Sequence, residues 1–170
     1  MDVIEFGALS DSQRAELEGD EEDPFDARGT ELWWRAKDQH VAIRDADGRL
    51  VASAGLVLAE IQVDDGPAIA VVGIGGVIVA ARYRGRGLAN RIIDETLRRA
   101  STLGPVLAIL FCHRDRVGLY ERHQFAEIPP PVMVQQPQGF AQIPEVAMWR
   151  AIRDGASLPP GLVKLNSLPF

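Results

Sequence analysis

Hydrophobic positions change their spacing near the middle of the chain, and the change predicts a strand that is followed directly by a helix. Residues 68–80 are almost continuously apolar, as expected of a largely buried strand. Gly85 and Gly87 come next. Residues 88–100 carry charged side chains on one helical face and apolar ones on the other, the apolar set being Leu88, Ala89, Ile92, Ile93, Leu97 and Ala100. The pattern therefore predicts an amphipathic helix that begins immediately after a glycine turn.

Turn residues divide the rest of the chain into shorter elements. The Asp-Gly pair at residues 47–48 predicts a hairpin, and a second hairpin is predicted at residues 64–67. Further predicted elements are helices over residues 10–18 and 31–37, the latter capped by Thr30, and strands over residues 2–7, 40–44, 50–61 and 106–111. The full order, β-α-α-β-β-β-α-β-α-β-β, predicts an α/β (or α+β) fold with a sheet of mixed direction.

Three glycines interrupt the strand over residues 68–80. They are Gly73, Gly75 and Gly76. Glycine inside a strand pattern marks a bulge or a close approach of another part of the backbone. We therefore expect an irregularity in this strand just before the glycine turn.

Composition and charge bound the class of protein. A chain of 170 residues, 46% of them hydrophobic, suffices for one domain, which we assign to residues 1–152 with a C-terminal tail at residues 153–170. Asp and Glu outnumber Lys and Arg by 24 to 18, which argues against a general nucleic-acid binder. Cys112 is the single cysteine, so no internal disulfide forms. The sequence contains neither a recognisable signal peptide nor a membrane span, and we expect a cytoplasmic protein.

The glycine turn has the features of an anion site. Gly85 and Gly87 lack a Cβ atom, so the backbone can adopt positive φ and approach a ligand closely. The first amides of the following helix have no partners within the helix and point into the turn. Arg82, Arg84 and Arg86 add positive charge. A phosphate cradle is one interpretation, and a tight strand-to-helix connection with solvated arginines is the other.

Two ordered motifs resemble those of the GNAT acyltransferases. Residues 82–87, Arg-Tyr-Arg-Gly-Arg-Gly, match the family signature (Gln or Arg)-x-x-Gly-x-(Gly or Ala). Residues 118–125 resemble the second signature, a tyrosine-bearing helix that runs into a Gly-Phe strand start, except that Gln124 stands where the glycine is usual. Residues 146–152 are similar to the closing strand of the family. The resemblance covers residues 40–152 and favours the phosphate cradle.

The resemblance implies a GNAT acyl-CoA acyltransferase fold, in which helices flank a mixed central sheet. The strands on either side of the long helix start parallel and then splay apart, and the cleft between them holds the pantetheine arm of acetyl-coenzyme A. Backbone amides of the turn hold the pyrophosphate, and main-chain groups of the preceding strand surround the thioester. The implied cofactor-binding residues are Val77, Ile78, Val79, Arg82, Arg84, Gly85, Arg86, Gly87, Leu88 and Ala89.

Tyr120 is the residue that the resemblance implies as general acid. Family members place this hydroxyl near the sulfur of coenzyme A, where it protonates the departing thiolate. A phenol with an ordinary pKa of ~10 stays protonated at neutral pH and can donate as negative charge develops. The alternative is a structural tyrosine that packs one helix face beside Val117 and Leu119.

A general base is harder to identify. Many relatives have a glutamate on the strand before the Val-x-Val segment, but residues 73–76 read Gly-Ile-Gly-Gly. A solvated surface charge is the simpler interpretation of each remaining carboxylate. Cys112 and His113 lie together at a strand end, an arrangement that is more often structural than nucleophilic, and the three histidines show no metal-ligand spacing. The base candidates are Glu60, Asp64 and Asp65 near the preceding hairpin, and Asp20, Glu21, Glu22, Asp23 and Asp26 in an acidic loop.

Together these inferences predict an acetyl-CoA-dependent N-acetyltransferase in which a primary amine of a small molecule or peptide attacks the thioester directly. The missing glutamate supports one alternative, a binding module that retains the acyl-CoA site and has lost turnover. A nucleic-acid or protein-interaction domain that uses the arginine turn is a second alternative, and the acidic net charge argues against it.

The acceptor is predicted only as a class. In the family, the region between the first two helices borders the acceptor site, and the acidic loop at residues 19–26 suits a cationic amine. Residues 119–120, 129–134 and 148–150 partly resemble aminoglycoside 2'-N-acetyltransferases, a likeness that lacks the strand glutamate and does not fix a substrate. Trp33 and Trp34 are candidate walls of this pocket, although one of them should face the core. We expect no nucleic-acid, membrane or metal partner, and a homodimer would use the sheet edge near residues 125–152.

Overall fold

The computed structural model describes residues 1–19 and 31–170 and confirms the mixed α/β architecture. The helices are α1 (Asp11–Glu18), α2 (Leu88–Ala100) and α3 (Val117–Glu121), and short 3₁₀ turns at Ala81–Tyr83 and Arg114–Arg116 precede the last two. The strands are β1 (Asp2–Phe6), β2 (Gln39–Arg44), β3 (Leu50–Val63), β4 (Ile69–Val79), β5 (Leu107–Cys112), β6 (Ala126–Glu127), β7 (Val132–Gln136), β8 (Gly139–Gln142), β9 (Val146–Ala151) and β10 (Val163–Leu165).

The strands form one sheet of mixed direction. Eight of them follow the order β6-β9-β5-β4-β3-β10-β7-β8, and β1 joins through β2. Strand β2 pairs with the first half of β3, whereas β10 pairs with its second half. The β4–β5 and β10–β7 pairs are parallel, and the other pairs are antiparallel. Strand β4 therefore lies in the middle of the sheet, next to its parallel neighbour β5.

Strands β4 and β5 separate after a short ladder. Their pairing runs from Val72 opposite Ala108 to Ile74 opposite Leu110, although β4 continues to Val79. Beyond Ile74, the edge of β4 that faces β5 carries backbone N–H and C=O groups that no strand ladder satisfies among the described residues. This opening is the cleft that the splayed parallel strands were expected to form.

A β-bulge in β4 lies where the two strands separate. Ser53 pairs with Ile78, and Gly55 pairs with Gly75, so β4 contains one more residue than β3 over this stretch. Gly76 in the bulge has a φ of 59°, which glycine adopts without a Cβ clash. The irregularity expected from the glycine pattern is confirmed.

The bulge changes which β4 side chains face α2. Before it, Ile74 packs in the cluster around α2, and after it Val77 does so. Ile78 points to the opposite side and packs with Leu17 of α1. A segment of β4 thus shifts its alternation by one residue at the cleft.

Helix α2 forms where the hydrophobic period predicted it. The buried hydroxyl of Thr96 is satisfied because it donates to the Ile92 carbonyl at 2.7 Å. Burial of each large aliphatic side chain contributes roughly 1.5–3 kcal/mol and fixes the start of the helix beside the glycine turn. With 13 residues, α2 is the longest helix of the described ranges, and none of those helices has the length and apolar character needed to cross a membrane. Its buried residues are Leu88, Ile92, Ile93, Thr96 and Ala100.

Residues 31–37 form neither a helix nor a strand, so the helix predicted there is wrong. The Trp33 amide donates to the side-chain oxygen of Gln136 at 2.7 Å, and the Arg35 amide donates to the Pro169 carbonyl at 2.8 Å. These partners lie far away in the sequence and replace the hydrogen bonds of a helix. Tertiary contacts therefore override the local propensity.

Residues 153–170, separated as a tail in the sequence analysis, return to the sheet. Strand β10 lies between β3 and β7. Phe170 is 3% exposed, and its ring centroid lies 5.3 Å from that of Phe111. Both belong to a hydrophobic cluster separate from the one around α2. The segment therefore places Phe170 against the other face of the sheet.

Candidate active site

The turn between β4 and α2 is shaped to accept an anion. Gly85 and Gly87 have φ values of 74° and 77°, and no atom lies within 4 Å of the positions that their Cβ atoms would occupy. Gly87 is the N-cap of α2, and no side chain of residues 1–19 or 31–170 caps this helix. The amides of Leu88 and Ala89 consequently have no partner within the helix. The turn presents unpaired N–H dipoles of the kind that bind phosphate.

Tyr83 holds two arginines of the turn in place. The guanidinium carbons of Arg82 and Arg86 each lie 5.2 Å from the centroid of the Tyr83 ring, a cation–π distance. The Tyr83 hydroxyl donates to Asp45 Oδ2 at 2.5 Å, which ties the turn to the β2–β3 hairpin. This hydrogen bond lowers the pKa of Asp45 and raises the pKa of Tyr83. The sequence does not predict the contact between Tyr83 and Asp45, because Asp45 belongs to an ordinary hairpin-turn pattern.

The residues predicted to contact the thioester lie at the end of β4, beside the turn. Ile78 and Val79 pair with β3 through one edge of the strand, and the other edge, including Val77, borders the cleft. The Arg84 side chain donates to the Val79 carbonyl at 3.1 Å and draws the turn back onto the strand. The ten predicted cofactor-binding residues therefore lie along the end of β4 and the turn into α2, although the side chains of Ile78 and Leu88 are buried in the core.

Tyr120 lies in α3 at the border of the cluster around α2. It is 8% exposed, and its ring packs edge-on against Phe125 with the centroids 6.0 Å apart. Burial raises the pKa of Tyr120, so the phenol keeps its proton well above neutral pH. Its hydroxyl forms no hydrogen bond with a residue that the structure describes. The side chain packs as a structural tyrosine would, and it also retains the proton that a general acid needs.

Gln124 occupies a position that suits glycine. It has a φ of 64°, a conformation that costs a non-glycine residue about 1–2 kcal/mol. The backbone nevertheless follows the expected path, because the Phe125 amide donates to the Tyr120 carbonyl at 3.2 Å. The departure from the second signature therefore changes the residue type and preserves the turn.

Cys112 has the environment of a structural cysteine. It is 6% exposed, and its Sγ lies 3.8 Å from Sδ of Met148. Burial raises the pKa of the Cys112 thiol to about 11. Little thiolate exists at neutral pH under these conditions, which argues against a cysteine nucleophile.

The predicted carboxylate bases that the structure describes are not at the bulge. Glu60 is exposed on β3, five residues beyond Gly55, which corresponds to about 17 Å along a strand. Asp64 accepts a hydrogen bond from the Leu162 amide at 2.8 Å and so holds the C-terminal segment, while Asp65 is exposed in the hairpin turn. The other candidates, Asp20, Glu21, Glu22, Asp23 and Asp26, lie outside the described residues, as does Thr30.

A cavity of about 230 Å³ adjoins the bulge on the side of α1. Gly76 and Ile78 of β4 form part of its lining. Trp34 also lines it, packs edge-on against Phe111 and has a buried Nε1 without a hydrogen-bond partner. Trp33 is 66% exposed, so the two adjacent tryptophans face opposite ways as expected. The charged or titratable lining residues are Arg14, Glu18, Arg35, Lys37 and His40.

Lys37 crosses β3 and ends at the bulge. A Cβ atom on Gly55 would lie 2.2 Å from Lys37 Cγ, so this glycine makes room for the lysine stem. Lys37 Nζ lies 3.8 Å from the Cβ position of Gly76. Burial lowers the pKa of Lys37, and the Arg14 guanidinium lowers it further. Sequence reasoning missed Lys37, because the contact joins segments that are distant in the chain.

Two glycines of β4 make room for the C-terminal segment. A Cβ atom on Gly73 would lie 2.3 Å from the Phe170 ring, and one on Gly75 would lie 2.7 Å from the Phe170 carbonyl group. These are the strand positions at which the resemblance leads one to expect a glutamate. The tail therefore occupies the space that a larger side chain would need.

The sequence model of one protein family, described as the acetyltransferase (GNAT) domain, matches residues 15–128, more than half of the chain. A comparison with curated proteins finds no significant match.

Solved structures share the fold at low sequence identity. A GNAT family N-acetyltransferase (YhbS) from Escherichia coli in complex with CoA is 19% identical over 94% of this chain and 78% of that chain, with a TM-score of 0.51. An aminoglycoside 6'-N-acetyltransferase complexed with coenzyme A is 14% identical over 92% and 100%, with a TM-score of 0.57. A KacTA–DNA complex is 12% identical over 67% of each chain, with a TM-score of 0.53.

Proposed function

This chain belongs to the GNAT acetyltransferases, and on that premise we propose that it transfers the acetyl group of acetyl-coenzyme A to a primary amine of a small molecule or peptide. The observation that carries the proposal is the uncapped start of α2, where Gly85 and Gly87 expose unpaired amides beside an open strand edge. Coenzyme A is also the ligand of two of the similar structures.

The residues present fit a pantetheine-bearing cofactor. The amides of Leu88 and Ala89, with the stacked Arg82 and Arg86, suit a pyrophosphate. The cleft-facing edge of residues 77–79 suits the thioester end, where a strand amide can polarise the carbonyl. When bound, acetyl-coenzyme A supplies an acyl group that is activated as a thioester.

The environments of Tyr120 and Cys112 support direct transfer over a covalent enzyme intermediate. The acceptor amine attacks the carbonyl carbon, and Tyr120 donates its proton to the sulfur as the carbon–sulfur bond breaks. An acyl-enzyme on Cys112 is disfavoured because the thiol is buried and protonated. Removing the Tyr120 hydroxyl should therefore lower turnover and leave cofactor affinity nearly unchanged.

Two measurements test the proposal. Calorimetric titration measures binding of acetyl-coenzyme A, with S-acetylpantetheine as the control ligand that lacks the pyrophosphate. Thiol release is then followed with a panel of primary amines that includes a polyamine, a peptide and an aminoglycoside. Tight binding of the full cofactor together with amine-dependent release supports the transferase. Heat without release indicates the inactive binding module, and equal affinity for both ligands contradicts the pyrophosphate site.

The predictions of a cationic acceptor, a homodimer and no nucleic-acid partner do not depend on the geometry of the turn. The cationic acceptor was inferred from the acidic loop, which lies outside the described residues, and it remains a prediction together with the homodimer. The DNA complex among the similar structures concerns that protein. For this chain, the net charge of −6 still favours an amine acceptor over a nucleic acid.

A further inference from the structure

His123 joins the helix that carries Tyr120 to the helix that begins at the glycine turn. It follows α3 by two residues, and it is 8% exposed. Its Nδ1 lies 2.9 Å from Oδ1 of Asp94, and its Nε2 lies 3.1 Å from Oδ1 of Asn90. Asn90 and Asp94 are four residues apart on α2 and so lie on the same side of it. The imidazole therefore forms a bridge to the first two turns of that helix.

We propose that His123 is a positioning residue for Tyr120, because this bridge fixes the phenol relative to the turn that holds the pyrophosphate. The inference rests on the proposed acetyltransferase function, with Tyr120 as the general acid. It assigns no chemical step to His123 itself, whose effect on transfer passes through Tyr120.

Helix α3 is too short to hold its own position. It spans five residues, no side chain of a described residue caps its start, and its buried residues are Val117 and Tyr120. A helix of this length is not stable by itself in water, so packing and contacts at its ends decide where it lies. The His123 bridge supplies such a contact at the C-terminal end of α3.

The backbone connects His123 directly to Tyr120. The amides of His123 and Phe125 both donate to the Tyr120 carbonyl, at 2.9 Å and 3.2 Å. Phe125 also packs edge-on against the Tyr120 ring. In addition, Nη1 of Arg150 in β9 donates to the His123 carbonyl at 2.6 Å. A movement of His123 would therefore displace both the backbone of Tyr120 and the ring that packs against it.

The bridge also supports the strained backbone at Gln124. This residue has a φ of 64° where glycine is usual in the second signature. A strained conformation persists only where its surroundings fix it. Its two neighbours are fixed, His123 through its side chain and Phe125 through a ring that is buried. The bridge therefore helps to keep α3 in place without the usual glycine.

The bridge does not require one particular charge on the imidazole. The Asp94 carboxylate accepts hydrogen bonds, so Nδ1 of His123 carries a proton. The Asn90 amide group can turn to present either an acceptor or a donor to Nε2. Both hydrogen bonds can therefore form with a neutral or a charged ring. The side chain of Asp94 is 69% exposed, so this end of the bridge can be changed without opening the core.

The first test measures whether His123 acts through Tyr120. His123→Phe keeps a ring in place and removes both hydrogen bonds of the imidazole. We expect kcat with the best amine of the panel to fall about tenfold, because small displacements of a catalytic group cost large factors in rate. In a Tyr120→Phe background, the same substitution should change kcat by less than about twofold. An equal loss in both backgrounds would overturn the proposal, since His123 would then act independently of Tyr120.

The second test breaks the bridge at its exposed end and does not depend on the folding of a core variant. Asp94→Ala removes one acceptor, whereas Asp94→Asn removes the charge and keeps an acceptor. We expect Asp94→Ala to lower kcat about fivefold and Asp94→Asn to keep it within about twofold. Glu121→Ala is the matched control, because it removes an exposed carboxylate next to Tyr120 that bonds to no described residue. Equal losses in Asp94→Ala, Asp94→Asn and Glu121→Ala would attribute the effect to charge and refute the bridge.

Binding measurements distinguish this failure from failure of the proposed function. All these variants should bind acetyl-coenzyme A within about twofold of the unmodified protein in calorimetry, since they leave the turn and Asn90 in place. A rise in Kd that accompanies the fall in kcat would indicate a general loosening of α2 and would overturn the positioning role. Unchanged kcat in Tyr120→Phe would also overturn it, while thiol release by the unmodified protein would still support the transferase. Absence of thiol release in the unmodified protein refutes the transferase itself, and with it the role of His123.

Discussion

The two faces of strand β4 carry different kinds of chemistry. On the α2 face, main-chain dipoles and stacked arginines come from one continuous segment, residues 77–89. On the other face, an arginine and a glutamate come from α1, an arginine and a lysine from residues 35–37 and a histidine from β2, and Phe170 comes from the end of the chain. The first site depends on local backbone conformation, and the second depends on packing between distant segments. We therefore expect mutations in the turn and mutations around Phe170 to have separable effects.

The largest expected effect is on turnover. Tyr120→Phe keeps the ring against Phe125 and removes the proton donor. We expect kcat to fall about 100-fold or more with little change in the Kd of acetyl-coenzyme A. Steady-state kinetics and calorimetry on the same preparation measure the two quantities. Unchanged kcat would show that Tyr120 has only the structural role.

The next effect is on stability, through the face of β4 that packs against Phe170. Gly75→Ala places a methyl group 2.7 Å from the Phe170 carbonyl, which must move. We expect a loss of about 1–3 kcal/mol in the free energy of unfolding, measured by urea denaturation. Gly118→Ala in α3 is the matched control, because no atom lies within 4 Å of its Cβ position. Equal stability of the two variants would argue against tight packing of the C-terminal segment.

A smaller effect is expected on the cofactor face. Gly87→Ala forces a Cβ atom into a left-handed conformation at φ 77°, at a cost of about 1–2 kcal/mol. If the turn relaxes, its amides move, and the Kd of acetyl-coenzyme A should rise about tenfold. Gly48→Ala also forces a Cβ atom into a left-handed conformation, at φ 80° in the distant β2–β3 hairpin. That control should lose stability while its calorimetric Kd stays unchanged.

The smallest effect concerns the support of the turn by Asp45. Because its pKa is lowered in the folded state, the stabilisation is complete above its unfolded pKa of about 3.9 and is lost as the pH falls through the folded value. Asp45→Asn should therefore lower the melting temperature slightly near neutral pH and make it less sensitive to acid. Asp47→Asn, exposed in the same hairpin, is the control. Parallel melting curves against pH for the two variants would exclude the contribution of the Tyr83 contact.

Elements with a strong local pattern were predictable. The spacing of Leu88, Ile92 and Ile93 identified α2, and the glycines after β4 identified its start, because both depend on residues within a few turns of one another. The same locality explains why the predicted cofactor residues lie along one continuous stretch of β4, the turn and α2. The turn of the second signature also forms without its usual glycine, since Gln124 adopts the required φ of 64°.

Elements that depend on distant partners were not predictable. The helix expected at residues 31–37 is absent because Gln136 and Pro169 satisfy the backbone there. Lys37 carries no sequence signal of its position, since its groove is formed by glycines on β3 and β4.

The sequence by itself determined the strand, the glycine turn and the amphipathic helix, and with them the family and the cofactor face. Those features follow from backbone freedom at glycine and from side-chain periodicity, which are properties of neighbouring residues. Only the tertiary structure decided the buried position of Phe170 and the approach of Lys37 to the bulge. These contacts form between segments that are far apart in the chain. The sequence shows where a glycine lies, but only the fold shows which side chain packs against it.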